Sequence, residues 1–501
     1  MKEPHLPSPS PGGLSSFVSR MRGLFLQGVA WALGLRLLSR MLLFLSQWWL
    51  IRQWRPEVYG AFAVGWSLFR LFYILAPMGM DEGLLRFASP LWPRREALRP
   101  WVLAALFSTA GIASALALTV ALGVRLGAPW GHVPTLMNLL PGFALAGALA
   151  ALLRVAAAAT RISRRVLWSL LSEDVVPGVL FLGWVFLWVK SDRDLLRSVQ
   201  GLHWAWGLGL LLALGGVLRD LGGRGWTSRP LPWRELWSYS WPIFASMSFL
   251  QLSLWGDRWI VGQVLTLADV GYYQAAAQLA FLTLLLLNAF NVPLGPQMAH
   301  TYARHPQHLP RLFAWATQTL WWALFPGAVF LGVYGDVVLR TLYGPEYTVA
   351  TPMLRLLTVG FVIRVAFGPA PILLRMTGAS RTWFRITALT FGLHMGLLLL
   401  LLPRWGITGA ALALGTALAS QGLLAFVAAS RHVGQRLYRG PFLRTWLLAA
   451  VALLLMGVVR LGVSPQLWPV HVGLALVLWG GLGLMLLRAR FSFPFKVKPG
   501  G

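Results

Sequence analysis

Seven arginines lie inside stretches that otherwise read as membrane-spanning helix: Arg36, Arg40, Arg70, Arg86, Arg258, Arg355 and Arg364. A guanidinium stays protonated at any physiological pH, so burial cannot neutralise it. Near the bilayer centre it costs about 2.5–3.5 kcal/mol on insertion scales. A chain that keeps such a group usually aims it at an interior cavity, a partner charge or an anionic ligand. Counted from the span ends, Arg36, Arg70 and Arg364 lie near the midplane, with Arg40 slightly further out. Arg36 and Arg40 are four residues apart, so they share one helix face at a separation of about 6 Å. Two cations so placed repel unless an anion lies between them. A diphosphate is such an anion, and the planar guanidinium meets its oxygens in pairs. Arg36, Arg40 and Arg70 are therefore the candidate diphosphate-binding set.

The remaining charges have different readings. Arg86 lies near the inner membrane face with Asp81 and Glu82 about one turn earlier, which predicts a helix-end salt bridge, and Arg355 reads as interfacial. Asp257 and Arg258 are adjacent, hence about 100° apart around a helix, and are expected to face different neighbours; with Arg364 they are candidates for a cavity wall or gate. Glu173 and Asp174 are candidates for ion coupling, because burial raises a carboxyl pKa towards neutrality; a structural bond to Arg154 or Arg165 competes with that role. Asp192-Arg193-Asp194 resembles a metal-holding D-x-D, but it sits in a short outer loop beside Lys190 and Arg197 and reads as a solvated turn. His300, His305 and His308 share an inner loop without an acidic or Cys partner. No metal site, cofactor or catalytic residue is expected, and the absence of cysteine excludes disulfides and thiolate chemistry.

These residues need a membrane scaffold to position them. Of 501 residues 57% are hydrophobic and 12% charged, about half the charged fraction of a soluble domain. The formal net charge of +28 does not signal nucleic-acid binding, because the basic residues recur in short loops between apolar runs. Fourteen runs of about 20 residues are each long enough to span about 30 Å of hydrocarbon. They lie near 24–50, 59–85, 101–123, 134–153, 166–189, 199–218, 237–262, 271–298, 312–334, 352–374, 384–403, 407–430, 443–462 and 469–487. Most Lys and Arg outside them fall in alternate gaps, which places both termini in the cytoplasm. Prolines within the runs, such as Pro177, Pro326 and Pro369, allow bends. A weak repeat is visible too. Glu57-Val58-Tyr59-Gly60 opens the second run much as Asp269-Val270-Gly271-Tyr272 opens the eighth, and aligning Gly60 with Gly271 gives an offset of 211 residues.

These junctions carry a family resemblance. Arg55-Pro56-Glu57-Val58-Tyr59-Gly60, Met78-Gly79-Met80-Asp81-Glu82-Gly83, Asp257-Arg258-Trp259-Ile260-Val261-Gly262, Leu342-Tyr343-Gly344-Pro345-Glu346-Tyr347 and Gly406-Ile407-Thr408-Gly409 occur in the order of one known group. From about residue 20 to 430 the chain resembles the polysaccharide or oligosaccharide flippases of the multidrug/oligosaccharidyl-lipid/polysaccharide exporter superfamily. The resemblance implies an all-α integral membrane protein with two pseudo-symmetric six-helix lobes facing a central cavity. Two further C-terminal helices are similar to those of fourteen-span peptidoglycan-precursor flippases. The expected division is a cytoplasmic arm (1–22), an N-lobe (23–220), a linker (221–235), a C-lobe (236–432), spans 13 and 14 (433–488) and a cytoplasmic tail (489–501). The implied cargo is a polyprenyl-diphosphate-linked oligosaccharide, moved from the cytoplasmic to the outer leaflet of the cell membrane. Membrane lipids, polysaccharide polymerase and glycosyltransferases are the implied partners. A cation-coupled multidrug exporter would need an acid-rich cavity, and a membrane glycosyltransferase or ligase would need a long outer loop bearing carboxylates.

Overall fold

The computed structural model describes residues 34–92, 94–126, 134–163, 165–221, 232–434 and 437, among which helices dominate and no strand occurs. The helices are α1 (34–53), α2 (Pro56–Leu75), α3 (Met80–Ala88), α4 (Arg95–Arg125), α5 (Pro134–Ile162), α6 (Val166–Trp188) and α7 (Leu195–Leu221). Then follow α8 (Trp233–Gln251, a π-helical turn at Leu252–Gly256, and Asp257–Val264), α9 (Leu267–Arg304), α10 (Leu309–Leu342), α11 (Thr351–Ala366), α12 (Ala370–Met376) and α13 (Ser380–Val433). Among the described residues, eight helical segments are long and apolar enough to cross a bilayer. The expected arm, most of the linker, the start of the first run, both last spans and the tail lie outside the described residues.

Local chemistry sets the boundaries. Pro56 starts α2, where its missing N–H costs no helix bond. Thr266 and Asp269 form a reciprocal cap at the start of α9. Ser191 and Asp194 do the same before α7, and Asp192 binds the backbone and side chain of Arg55 at 2.8 and 2.7 Å. The D-x-D is thus taken up in turn structure. Two runs expected to be continuous are broken. The run 59–85 is interrupted at Met78 and Gly79, with φ of 45° and 75°. The run 352–374 is interrupted at Gly368 (φ 73°) ahead of Pro369, which has no N–H to extend a helix. The 54 residues of α13 are two arms, because Gly406 departs from helical geometry (φ 56°, ψ −143°). A Cβ at Gly409 would lie 2.5 Å from the Leu401 carbonyl oxygen, and Gln421 bonds Thr390, so the arms run antiparallel as a hairpin.

Packing sorts the helices into two groups. In the first, α5 packs on α2, α4 and α7, and α6 packs on α7. In the second, α11 packs on α9, α10 and α13. Helices α2 and α3 meet α9 and α8 between the groups. The crossing of α2 and α9 is reciprocal: a Cβ at Gly60 would lie 1.7 Å from the Leu267 oxygen, and one at Gly271 2.3 Å from the Pro56 oxygen. Pro56 and Leu267 are themselves 211 residues apart, so the two repeat junctions bind each other across a local pseudo-two-fold. Only glycine permits backbones this close. Around this seam the Trp48 indole donates to the Leu342 carbonyl (2.9 Å), Trp259 to Ser67 Oγ (2.9 Å), and Tyr59 to Gln278 (3.2 Å). At the opposite end, Gly79 and Gly83 press on Ser240, and Phe87 meets Tyr239 edge-on at 5.5 Å. The two groups touch at both ends.

Candidate anion site between the helix groups

Helix α2 carries Arg70 to the seam between the groups. Tyr73, one turn later on the same face, and Trp255, in the π turn of α8, lie with ring centroids 5.4 and 5.3 Å from its guanidinium carbon. Its Nε is buried without a hydrogen-bond partner, and among the described residues no carboxylate forms an ion pair with it. Arg40 of α1 and Arg154 of α5 are near enough to repel its charge, and Asp174 of α6 attracts it. Arg40 and Arg36 are exposed, one turn apart on α1. The structure therefore joins Arg40 to Arg70 electrostatically. Arg36 is linked to them only through its helix.

Further along this group, towards the Ser240 end, three arginines are matched. Arg154 binds Asp81 at 2.7 Å, Arg161 binds Glu173 at 3.0 Å, and Arg165 binds Asp220 at 3.1 Å. The Tyr73 hydroxyl donates to Glu173 at 2.8 Å. These pairings correct two expectations. Asp81 is bound by Arg154, and Arg86 instead stacks 4.7 Å over Tyr239 of α8. Glu173 pairs with Arg161, neither with Arg154 nor with Arg165, because the π turn at Leu171–Val175 rotates it towards α5. The same turn offers its Asp174 carbonyl to Ser39 Oγ of α1 at 2.8 Å. Glu173 thus already holds a cation, whereas the Asp174 carboxylate has no ion pair among the described residues.

In the second group the arrangement is closed. Asp257 and Arg258 have no exposed surface and bond to each other, against the expectation that adjacent residues would face apart. The long arginine side chain folds back along the helix, and its Nη1 also donates to the Leu254 carbonyl. Its Nε donates to Gln274 at 3.0 Å, and the Tyr273 hydroxyl donates to the other Asp257 oxygen. Trp255, Tyr273 and Phe281 rings surround the guanidinium at 5.3, 5.0 and 5.9 Å. In this conformation the pair is packed interior. Arg364 is half-buried where α11 crosses α13 against Gly422, without an ion pair among the described residues and repelled by Arg375. Arg355 is exposed and donates to the Gly332 carbonyl at 2.9 Å. Among the described residues no group of His, Asp and Glu could hold a metal ion.

Tyr73, Trp255 and Arg161 escaped the sequence reading, and Arg154 was read as a partner of Glu173 or Asp174 rather than of Asp81. Arg154 and Arg161 are seven apart, hence on one face of α5, and that spacing was the available signal. Their place at the end of an apolar run made them look like loop charges.

Comparison with known proteins places this geometry. Among solved structures, the chain is similar to one described as the lipid II flippase MurJ in an inward closed conformation. The TM-score is 0.74 at 14% identity, over 90% of this chain and 97% of that one. It is similar to an inward-facing multidrug resistance MATE family transporter of the MOP superfamily, with a TM-score of 0.64 at 12% identity over 79% and 94% of the two chains. The Vibrio cholerae MATE transporter VcmN in its bent form matches with a TM-score of 0.53 at 14% identity, over 81% and 98%. At such identities the likeness establishes the fold, that of multi-pass membrane transporters. A search of curated proteins finds no match. The family model for polysaccharide biosynthesis proteins matches residues 25–301, just over half of the sequence and including every residue of the Arg40–Arg70 site, so the chain belongs to the polysaccharide biosynthesis protein family.

Proposed function

We propose that this protein is a flippase that carries a polyprenyl-diphosphate-linked oligosaccharide from the cytoplasmic to the outer leaflet by alternating access. The observation that carries this reading is Arg70: a guanidinium at the seam between the helix groups, with a buried unpartnered Nε, repelled by Arg40 and Arg154. A diphosphate would supply the missing acceptors and relieve the repulsion. Arg36 and Arg40, exposed on the adjoining helix, would hold its outer oxygens. The polyprenyl tail stays in lipid. An apolar groove of about 580 Å³ between α1 and α6, lined by Leu42, Leu45, Trp48, Trp49 and Phe186, starts two residues beyond Arg40 and offers it a track. The expected track along spans 13 and 14 lies outside the described residues.

In this reading the N-lobe (23–220) and C-lobe (236–432) rock about the cavity, the inner contacts at Ser240 part to admit the headgroup, and the Gly60–Gly271 seam parts to release it. Both termini are cytoplasmic and the membrane is the cytoplasmic one. Glycosyltransferases inside supply the cargo, and a polymerase outside consumes it. Family membership and the MurJ-like fold support this reading. A multidrug exporter of the same fold would need unmatched acids, whereas the unmatched charges here are mainly arginines. The test is flipping of a fluorescent polyprenyl-diphosphate oligosaccharide in liposomes. Wild type is expected to expose the label to an external quencher, and Arg70→Ala with Arg36→Ala to slow this severely. Full-rate flipping by both variants at normal expression sinks the diphosphate role.

A further inference from the structure

Helix α13 holds a buried histidine that the proposed cargo site does not use. His394 has no exposed surface, and neither ring nitrogen has a hydrogen-bond partner among the described residues. An imidazole placed where both nitrogens are orphaned is costly, and the site retains it beside two charges. Asp257 and Arg258 of α8 are the charged groups that act on it. Tyr273 of α9 is the titratable neighbour already bonded to Asp257. On the second arm of α13, Gln421 bonds Thr390, which stands one turn before His394, and leaves its own Oε1 unpartnered. Arg364 of α11 meets that arm one residue further on, at Gly422. Arg258 Nη2 is orphaned as well.

We infer that His394 is a proton-binding site whose charge competes with Arg258 for Asp257, and that its protonation favours parting of the outer seam. One carboxylate balances one guanidinium in the closed state. A proton taken up on either ring nitrogen leaves two cations sharing that carboxylate in a place without solvent. The excess charge is relieved only when water enters or Arg258 moves. Arg258 is coupled to the seam through its own helix. Trp255 lies under both Arg258 and Arg70 at 5.3 Å, and Trp259, one turn from Trp255 on the same face, donates to Ser67 of α2. A change at Asp257–Arg258 therefore acts on two contacts that cross between the helix groups. The inference deepens the proposed function, because it assigns the proton as the ion that biases the alternation.

The chain has no cysteine, so two introduced ones label uniquely. Spin labels on Arg193→Cys in the outer turn before α7 and Val349→Cys before α11, both exposed, report the outer separation by pulsed electron resonance. In the otherwise unsubstituted protein, the ratio of outer-open to outer-closed molecules is expected to stay flat above about pH 7 and to rise towards tenfold per unit fall in pH below about pH 6.5, where a hydrated imidazole takes up a proton that the closed site refuses. Two unchargeable substitutions of different length, His394→Gln and His394→Asn, are expected to abolish the dependence. A pH-independent ratio in the unsubstituted protein overturns the inference, and so does a response that survives in either folded variant. The same proteins in liposomes separate this from the cargo reading. If the labels respond to pH through His394 but no lipid-linked glycan is flipped, the cargo reading falls and the proton site stands. If glycan is flipped and the labels ignore pH, the reverse holds.

Discussion

Arg70 and Arg258 lie at the same distance, 5.3 Å, from the ring of Trp255, yet their surroundings are opposite. Arg258 is enclosed by its own chain. Asp257, Gln274 and a backbone carbonyl accept its hydrogens, and three aromatic rings cover it. Arg70 has the ring stacking and none of the acceptors. A guanidinium neutralised by neighbours on the same helix pair is part of the scaffold. One left with donors pointing at a seam between two bodies is available to a ligand. The difference also marks the two helix groups: the second encloses the Asp257–Arg258 pair, and the first leaves arginines of α1 and α2 without an ion pair beside a layer of matched charges.

Removing the acid of the closed pair should have the largest effect. Asp257→Ala strands a buried cation and is expected to cost about 3–5 kcal/mol of stability, read as a lowered melting temperature in detergent. Replacing both members with apolar residues (Asp257→Leu with Arg258→Met) should recover most of it. If the single and double variants melt alike, the pair does not act as a unit. Next comes the outer seam. Gly60→Ala forces a methyl into the Leu267 carbonyl and should cost about 1–3 kcal/mol of the closed state, measured as a shift towards outer-open separations between labelled cysteines. An unchanged distribution would mean that the seam does not hold the closed state.

Arg70→Ala should leave the melting temperature near wild type, because it removes two ring contacts but no ion pair or hydrogen bond among the described residues. Its flipping rate should fall about 10- to 100-fold, the worth of a charged hydrogen-bonded contact of about 1.5–3 kcal/mol. A large stability loss without a transport defect would reverse the assignment and make Arg70 the scaffold residue. Arg355→Ala should change least. Its carboxylate neighbour Asp336 is 4.0 Å away and both side chains are partly exposed, a geometry whose contribution is usually near zero. Melting and flipping should both match wild type.

Much of the architecture was legible in the residues because a bilayer imposes a simple rule: about 20 apolar residues must satisfy their own backbone in a helix. Two interruptions were hidden from it. Met78-Gly79 and Gly368-Pro369 break runs whose hydropathy continues unbroken, since hydropathy does not record a backbone turn. The 211-residue offset was readable from one pair of turns. That the two turns bind each other was not, because nothing in either turn names its partner.

The charged residues divide in the same way. The sequence by itself determined that arginines lie at membrane depth and cannot discharge, so each had to have an acceptor, a cavity or a ligand. Which of these each has was decided by tertiary structure. Arg154 finds Asp81 across 73 residues, and Arg161 finds Glu173 through a π turn that shifts the helix register. Arg258 takes the neighbour that ideal helix geometry disfavours. Ion pairs form over a few ångströms in space, and the distance along the chain carries no information about that separation once helices far apart in sequence are packed side by side.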